Sequence, residues 1–196
     1  KIIRLRTLLE DRVLAGRAKG ELHLPRLLPQ MEAGGVVALD FDGVEVLTTS
    51  YFFAALWPLW TREDAAGPST FPLVVNACPA VQEEVTFIMQ HRKAATWYGR
   101  LADGQFECAG YLGVVDDGVG KALAQAIEGH ELSAVELAQR DGTNATTWNN
   151  RLASALRQRL LLVNDREGED HLEATAKKLD QRFKKINGRA LISVNK

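Results

Sequence analysis

Two carboxylates spaced two residues apart, Asp40 and Asp42, close the apolar run "VVALDFDGV", and a glycine follows them. Carboxylates held at a strand end can serve as nucleophiles or as general acids and bases. The same residues also make an ordinary acidic turn, which D-G dipeptides favour. A hydroxyl cluster, Thr48, Thr49 and Ser50, lies just beyond them. A hydroxyl at that place can cap a helix by accepting one of its orphan N–H groups. Other chemistry finds little support. His23, His91, His130 and His171 are scattered without metal-ligand spacing, and Cys78 and Cys108 form no CxxC pair. There is no P-loop and no G-x-G-x-x-G; Gly118 and Gly120 in "DDGVGK" lack the remaining glycine.

The D-x-D-G run resembles the start of the catalytic strand in haloacid dehalogenase-type phosphatases. That resemblance implies Asp40 as the group attacking a phosphoryl centre and Asp42 as the general acid. Such a site also needs a Ser or Thr after a second strand, a Lys, and a later acidic pair for magnesium. Here the next strand, "FPLVVNAC", ends in Asn76 and Cys78. Asp116 and Asp117 imitate the acidic pair, and Lys93 is the only lysine between. A spacing of about 76 residues from Asp40 to that pair leaves little room for an alternating α/β core. The phosphatase is therefore a third reading.

The elements that must position these groups follow from periodicity. Residues 5–32 predict one or two helices interrupted by Gly16, Gly20, Pro25 and Pro29. Val36–Leu39 and Leu73–Val75 are continuously apolar and β-branched, as buried strands are, and Val44–Leu47 is a short extension or follower. "SYFFAALWPLW" (Ser50–Trp60) has helical length, with Phe53, Ala54, Trp57 and Trp60 recurring on one side. After a polar loop at Thr61–Thr70, Pro79 opens a helix to about Tyr98 with Val81, Val85, Ile88 and Met89 on its apolar stripe. Gln105–Val115 is one more strand.

This β–α–β–α order predicts a small α/β layer. Four stretches carry a further resemblance: "GRAKG" at 16–20, "VVALDFDGVEVLTTSYFFAAL" at 36–56, "LVVNACPAVQEEV" at 73–85, and the loop length between the last two. Together they resemble STAS-like domains, relatives of anti-sigma-factor antagonists. In such domains an acidic strand-end turn leads through small hydroxyl residues into a helix. The resemblance makes Asp40 and Asp42 turn residues, and Thr49 and Ser50 candidates for phosphorylation or switching. It departs at Thr48, which stands where antagonists often carry Asp. Helix capping is the plainer task for the cluster.

The second half reads as all but one element helical. "GVGKALAQAIEGH" (Gly118–His130) is amphipathic and stopped by Gly129. "LSAVELAQRDG" (Leu132–Gly142) opens with Ser133 and Glu136 in capping-box spacing, and its apolar face is Val135, Leu137 and Ala138. Asn144 then caps "ATTWNNRLASALRQRL", which buries Trp148, Leu152, Ala155 and Leu156. Two apolar stretches flank the turn "NDREGED" as a hairpin. The stretch "AVELAQRDGTNATTWNNRLASALRQRLLLVNDREGED" resembles a winged helix-turn-helix. Such domains place their third helix in the DNA major groove. Carried onto this chain, the resemblance gives Thr146, Asn149 and Asn150 to base edges, and Arg151, Arg157 and Arg159 to phosphates. Winged helices commonly bind as dimers, so a homodimer is admitted.

Charge weighs on the other side. Net charge is −1, but residues 115–175 carry six basic and eleven acidic residues. The wing sets Asp165, Glu167, Glu169 and Asp170 against Arg166 alone, so it is not expected on phosphate. The tail 176–196 carries seven basic residues and Asp180; as a helix it aligns Leu179, Phe183 and Ile186. No apolar run reaches membrane length, and Cys78 and Cys108 as two free thiols make a reducing, cytoplasmic setting the expectation. The chain is thus expected to hold a STAS-like α/β domain (1–114), an α+β winged helix-turn-helix (115–175) and a basic extension (176–196). The expected function is a non-enzymatic bacterial regulator binding double-stranded DNA, with a protein partner or small ligand at the first domain. No cofactor, metal or membrane partner is expected. The alternative is a protein-interaction adaptor that does not bind DNA.

Overall fold

The computed structural model describes residues 1–31, 35–61, 70–102, 105–127, 133–163 and 190–191. Contacts divide the chain between Val114 and Val115 into two units, Lys1–Val114 and Val115–Val194. The described residues form a mixed α/β protein with a five-stranded, mostly parallel sheet and seven helices.

In the first unit, β1 (Ile2–Arg4), α1 (Leu5–Leu9), β2 (Val13–Leu14), α2 (Arg17–Met31), β3 (Gly35–Asp40) and β4 (Val46–Leu47) come first. A three-part helix, α3, follows: α-helical Thr49–Tyr51, π-helical Phe52–Leu56 and α-helical Trp57–Thr61. Then come β5 (Thr70–Val75), α4 (Pro79–His91), β6 (Ala95–Ala102) and β7 (Gln105–Gly113). The sheet order is β1-β3-β5-β6-β7, with only the β6–β7 pair antiparallel, and β2 pairs β4 separately. The parallel strands step always in one direction, so same-handed crossovers leave their helices on one face. Ile3, Val37, Leu39, Val74 and Leu112 accordingly share one core with the four helices. The alternate residues Ala38, Phe71, Leu73, Val75, Ala95 and Trp97 are also buried. Burial on both faces is why the central strands read as unbroken apolar runs rather than alternating ones.

Four expectations are corrected in this unit. First, Pro25 and Pro29 do not interrupt: both lie inside α2 on its exposed side, where carbonyls that lose a partner meet water. Gly20, His23, Leu27 and Met31 are buried along the opposite stripe. Second, Ile2–Arg4 and Val13–Leu14 are strands, too short to carry a periodic signal of their own. Third, the buried residues of α3 are Tyr51, Phe52, Ala55, Leu56, Leu59 and Trp60. The π segment, where Trp57 N–H reaches back to Phe52 C=O, stretches the repeat to four. Phe53 and Trp57 are thereby left half-buried under the Arg92 guanidinium, 4.4 and 5.7 Å from their ring centroids. Fourth, α4 stops at His91 rather than Tyr98. Lys93 takes a left-handed φ of 50°, Ala94 N–H returns to Met89 C=O at 2.8 Å, and Thr96-Trp97-Tyr98 continue as strand. The loop 62–69 lies outside the described residues.

The second unit holds α5 (Asp117–Ile127), α6 (Ala134–Asp141), α7 (Ala145–Arg157), β8 (Leu162–Val163) and β9 (Ala190–Leu191). Helix α7 packs against both α5 and α6, burying Val119, Leu123, Leu137, Trp148, Leu152 and Ala155. Gly142, at φ 64°, ends α6 with its N–H on Ala138 C=O. Again some details differ. Ser133 is the N-cap of α6 by position, but its hydroxyl makes no capping bond. Ala134 is buried there and Val135 exposed, while in α7 Ala153 is buried and Leu156 only half so. β8 pairs antiparallel with Ala190–Leu191, and the second strand of the hairpin expected across "NDREGED" falls outside the described residues. That turn, the Gly129 stop and the tail helix with Leu179, Phe183 and Ile186 lie outside the described residues.

Candidate functional site

Asp40 ends β3 at 7% exposure, held by neighbours on two strand ends. Its Oδ1 accepts from the Asn76 side-chain amide at 2.9 Å and from Asp42 N–H at 3.0 Å. Val44 N–H returns to Phe41 C=O at 2.9 Å, and Gly43 sits at φ 73°, so Phe41–Val44 is a turn whose third residue needs positive φ. Asn76, itself at φ 55°, also accepts Leu101 N–H at 3.0 Å. The carboxylate thus joins the ends of β3, β5 and β6, and buried polar groups need such partners. Asp42 is exposed. Asp116, one half of the acidic pair, accepts Val119 N–H at 2.8 Å and so caps α5. Among the described residues no group of three or more His, Cys, Asp or Glu is gathered to hold a metal ion. The described parallel strands follow one another across the sheet without a reversal of order.

At the hydroxyl cluster the cap is Thr48, one residue before the expected pair. Its Oγ1 accepts Tyr51 N–H at 3.4 Å and Gly16 N–H at 3.2 Å. Thr49 Oγ1 instead donates to Glu84 on α4 at 2.5 Å, linking two helices. Ser50 is exposed, with Oγ 3.3 Å from Thr48 Oγ1. Near this cap lies a pair with no local sequence signal. His23 Nδ1 and Tyr51 Oη, 28 residues apart in sequence, are 2.8 Å from each other and buried. Burial lowers the imidazole pKa below its ordinary value, as does Arg26, and raises that of the tyrosine. With both groups neutral, one hydrogen bond joins them, its direction set by which ring nitrogen carries the proton.

On α7 the six residues expected at DNA separate into two sets. Asn144 Oδ1 accepts Thr147 N–H at 2.8 Å and Thr147 Oγ1 at 3.0 Å, fixing the start of the helix. Thr146 and Asn150 are exposed and Asn149 is half-buried, all in the first two turns. Ala153, one turn beyond Asn149, is buried, which limits the open face to those turns. Arg151 is engaged inside its unit: Nη1 lies 3.2 Å from Asp141 Oδ2, and the guanidinium sits 4.7 Å from the Trp148 ring centroid. Its position three residues after Trp148, one turn up the same side, is the signal that could have shown this. Arg157 ends the helix. Arg159 closes it through its backbone, at φ 57° with Leu160 N–H on Ala155 C=O at 2.9 Å. No helix among the described residues is long and apolar enough to cross a membrane. No family model, curated protein or solved structure matches this chain.

Proposed function

We propose that this protein is a non-enzymatic prokaryotic regulator: a STAS-like first unit that receives a partner or ligand, and a winged-helix second unit that binds double-stranded DNA. The observation that carries the reading is the α6–turn–α7 arrangement. A three-residue turn, Gly142–Asn144, joins the helices, and the capped start of α7 leaves Thr146 and Asn150 exposed beside a half-buried Asn149. Recognition helices read bases with such N-terminal residues. Arg157, Arg159 and the basic stretch 177–189 supply the charge that neutralises phosphates. The adaptor reading is favoured by one specific observation, the acidic balance of six basic against eleven acidic residues in 115–175.

The two readings separate on a salt series with heparin and with a mixed-sequence duplex. Duplex binding weakens steeply with salt as counterions are released, whereas an adaptor shows little retention at any salt. On a duplex selected from a random pool, Asn149→Ala with Asn150→Ala costs roughly 1–3 kcal/mol for each adenine no longer held by two hydrogen bonds, and relaxes selection there. Unchanged selection by this folded double variant would give first place to the adaptor.

A further inference from the structure

We propose that Arg151 is the positioning residue of the second unit: it clamps α5, α6 and α7 together, sets how the first two turns of α7 are presented, and touches no phosphate. Three contacts from three elements converge on it. Its Nη1 meets the Asp141 carboxylate at 3.2 Å on the last residue of α6. A carboxylate there faces the negative end of its own helix, so a cation is what that terminus lacks. The guanidinium lies over the Trp148 ring on α7, 4.7 Å from the centroid and within cation–π range. Its stem crosses Gly118 in the first turn of α5, where an added Cβ would stand 3.0 Å from both Arg151 Cγ and Nε. The side chain is 22% exposed, and Asp141, its ion-pair partner, 33%.

These contacts explain two sequence features together. An added Cβ at position 118 would crowd the Arg151 stem and also stand 3.1 Å from the Asp116 Oδ1 that caps α5, so glycine there spares both. Position 151 is arginine because one planar group must stack on an indole and reach a carboxylate at once, which a lysine ammonium does not do. A phosphate that took the Nη1 donor would leave Asp141 without its cation at a helix C-terminus. The part of the proposal that concerns base reading rests on α7 being the DNA-reading helix; the clamp itself does not.

The test uses the full chain and four variants, Arg151→Lys, Arg151→Gln, Gly118→Ala and Asp141→Asn, with a short mixed-sequence duplex as the probe. The Trp148 indole N–H, buried and without a hydrogen-bond partner among the described residues, is the spectroscopic reporter. The expected result is that Arg151→Lys and Gly118→Ala both move the Trp148 indole resonance and the backbone amides of Thr146–Asn150, with helix content retained. Asp141→Asn, which removes the anionic partner, moves the same resonances. Gly118→Ala does so without altering any charge; shifts confined to the Asp116–Val119 cap, which the same Cβ also meets, would overturn the clamp. The salt dependence of duplex binding in Arg151→Gln keeps the wild-type slope. A slope reduced by about one, with the Thr146–Asn150 amides unmoved, identifies a phosphate ligand and overturns the proposal. Resonance changes confined to residues 151 and 141 overturn it as well. If the wild-type chain does not bind the duplex at any salt, the DNA reading fails, and the resonances alone uphold or overturn the clamp.

Discussion

Gly20→Ala sets two effects of known size against each other. Gly20 is buried within α2, and an exposed helix interior would gain about 1 kcal/mol from alanine. Here a Cβ would stand 2.7 Å from Ala54 Cβ and 2.9 Å from Tyr51 C=O, both on α3. Carbon contacts are comfortable at roughly 3.5–4.0 Å, so the shortfall is on the order of 1 Å. One of the two obstacles is backbone, so the strain cannot be relieved by rotating a side chain. Helices α2 and α3 must part, and overpacking of this kind costs about 1–3 kcal/mol. The cost exceeds the propensity gain, and the net expectation is destabilisation by about 1 kcal/mol. In urea that lowers the midpoint by roughly 0.5 M with little change in slope. Tryptophan fluorescence suits the assay, because Trp57, Trp60 and Trp97 all belong to the first unit. Ala54→Gly removes the nearer obstacle, so the double variant should recover at least about 0.5 kcal/mol relative to additivity. A Gly20→Ala midpoint equal to or above wild type, or a zero coupling energy, would refute the close-approach argument.

Two further outcomes are expected. Thr48→Ala should cost about 1 kcal/mol as a lost helix cap, measured by urea unfolding, and more than Ser50→Ala; the reverse order would return the capping role to Ser50. His23 should make the first unit acid-sensitive. Its folded pKa is lowered by burial and by Arg26 and Lys19, against the opposing pull of Asp11, so the unfolded chain binds the proton more readily. Stability is then full above the ordinary histidine value near 6.5 and falls with decreasing pH, by at most about 1.4 kcal/mol per pH unit. His23→Gln, which keeps a hydrogen-bonding group beside Tyr51, should flatten that slope between pH 7 and pH 5. An unchanged slope would remove His23 as its source.

Local rules were enough for features whose cause is local. The apolar run before Asp40 demands a buried strand, and Val81, Val85, Ile88 and Met89 mark the buried stripe of α4 at helical spacing. Asn144 caps α7 because its side chain needs only the N–H groups of the next three residues. What tertiary structure decided depends on partners distant in sequence. Asp40 is tied to the neighbouring strand end because Asn76, 36 residues on, points an amide at it, and the D-x-D-G spelling is the same whether or not that amide is there. The cap fell to Thr48 rather than Thr49 or Ser50 because Gly16 N–H and the Glu84 carboxylate claim different hydroxyls of the run. The prolines of α2 are tolerated because packing placed them on the wet side, which propensity alone cannot weigh. Arg151 reads as a phosphate ligand in one dimension. Only the meeting of Asp141, Trp148 and Gly118 makes it a clamp, since a charge is assigned by the groups that desolvate and pair it rather than by its own kind.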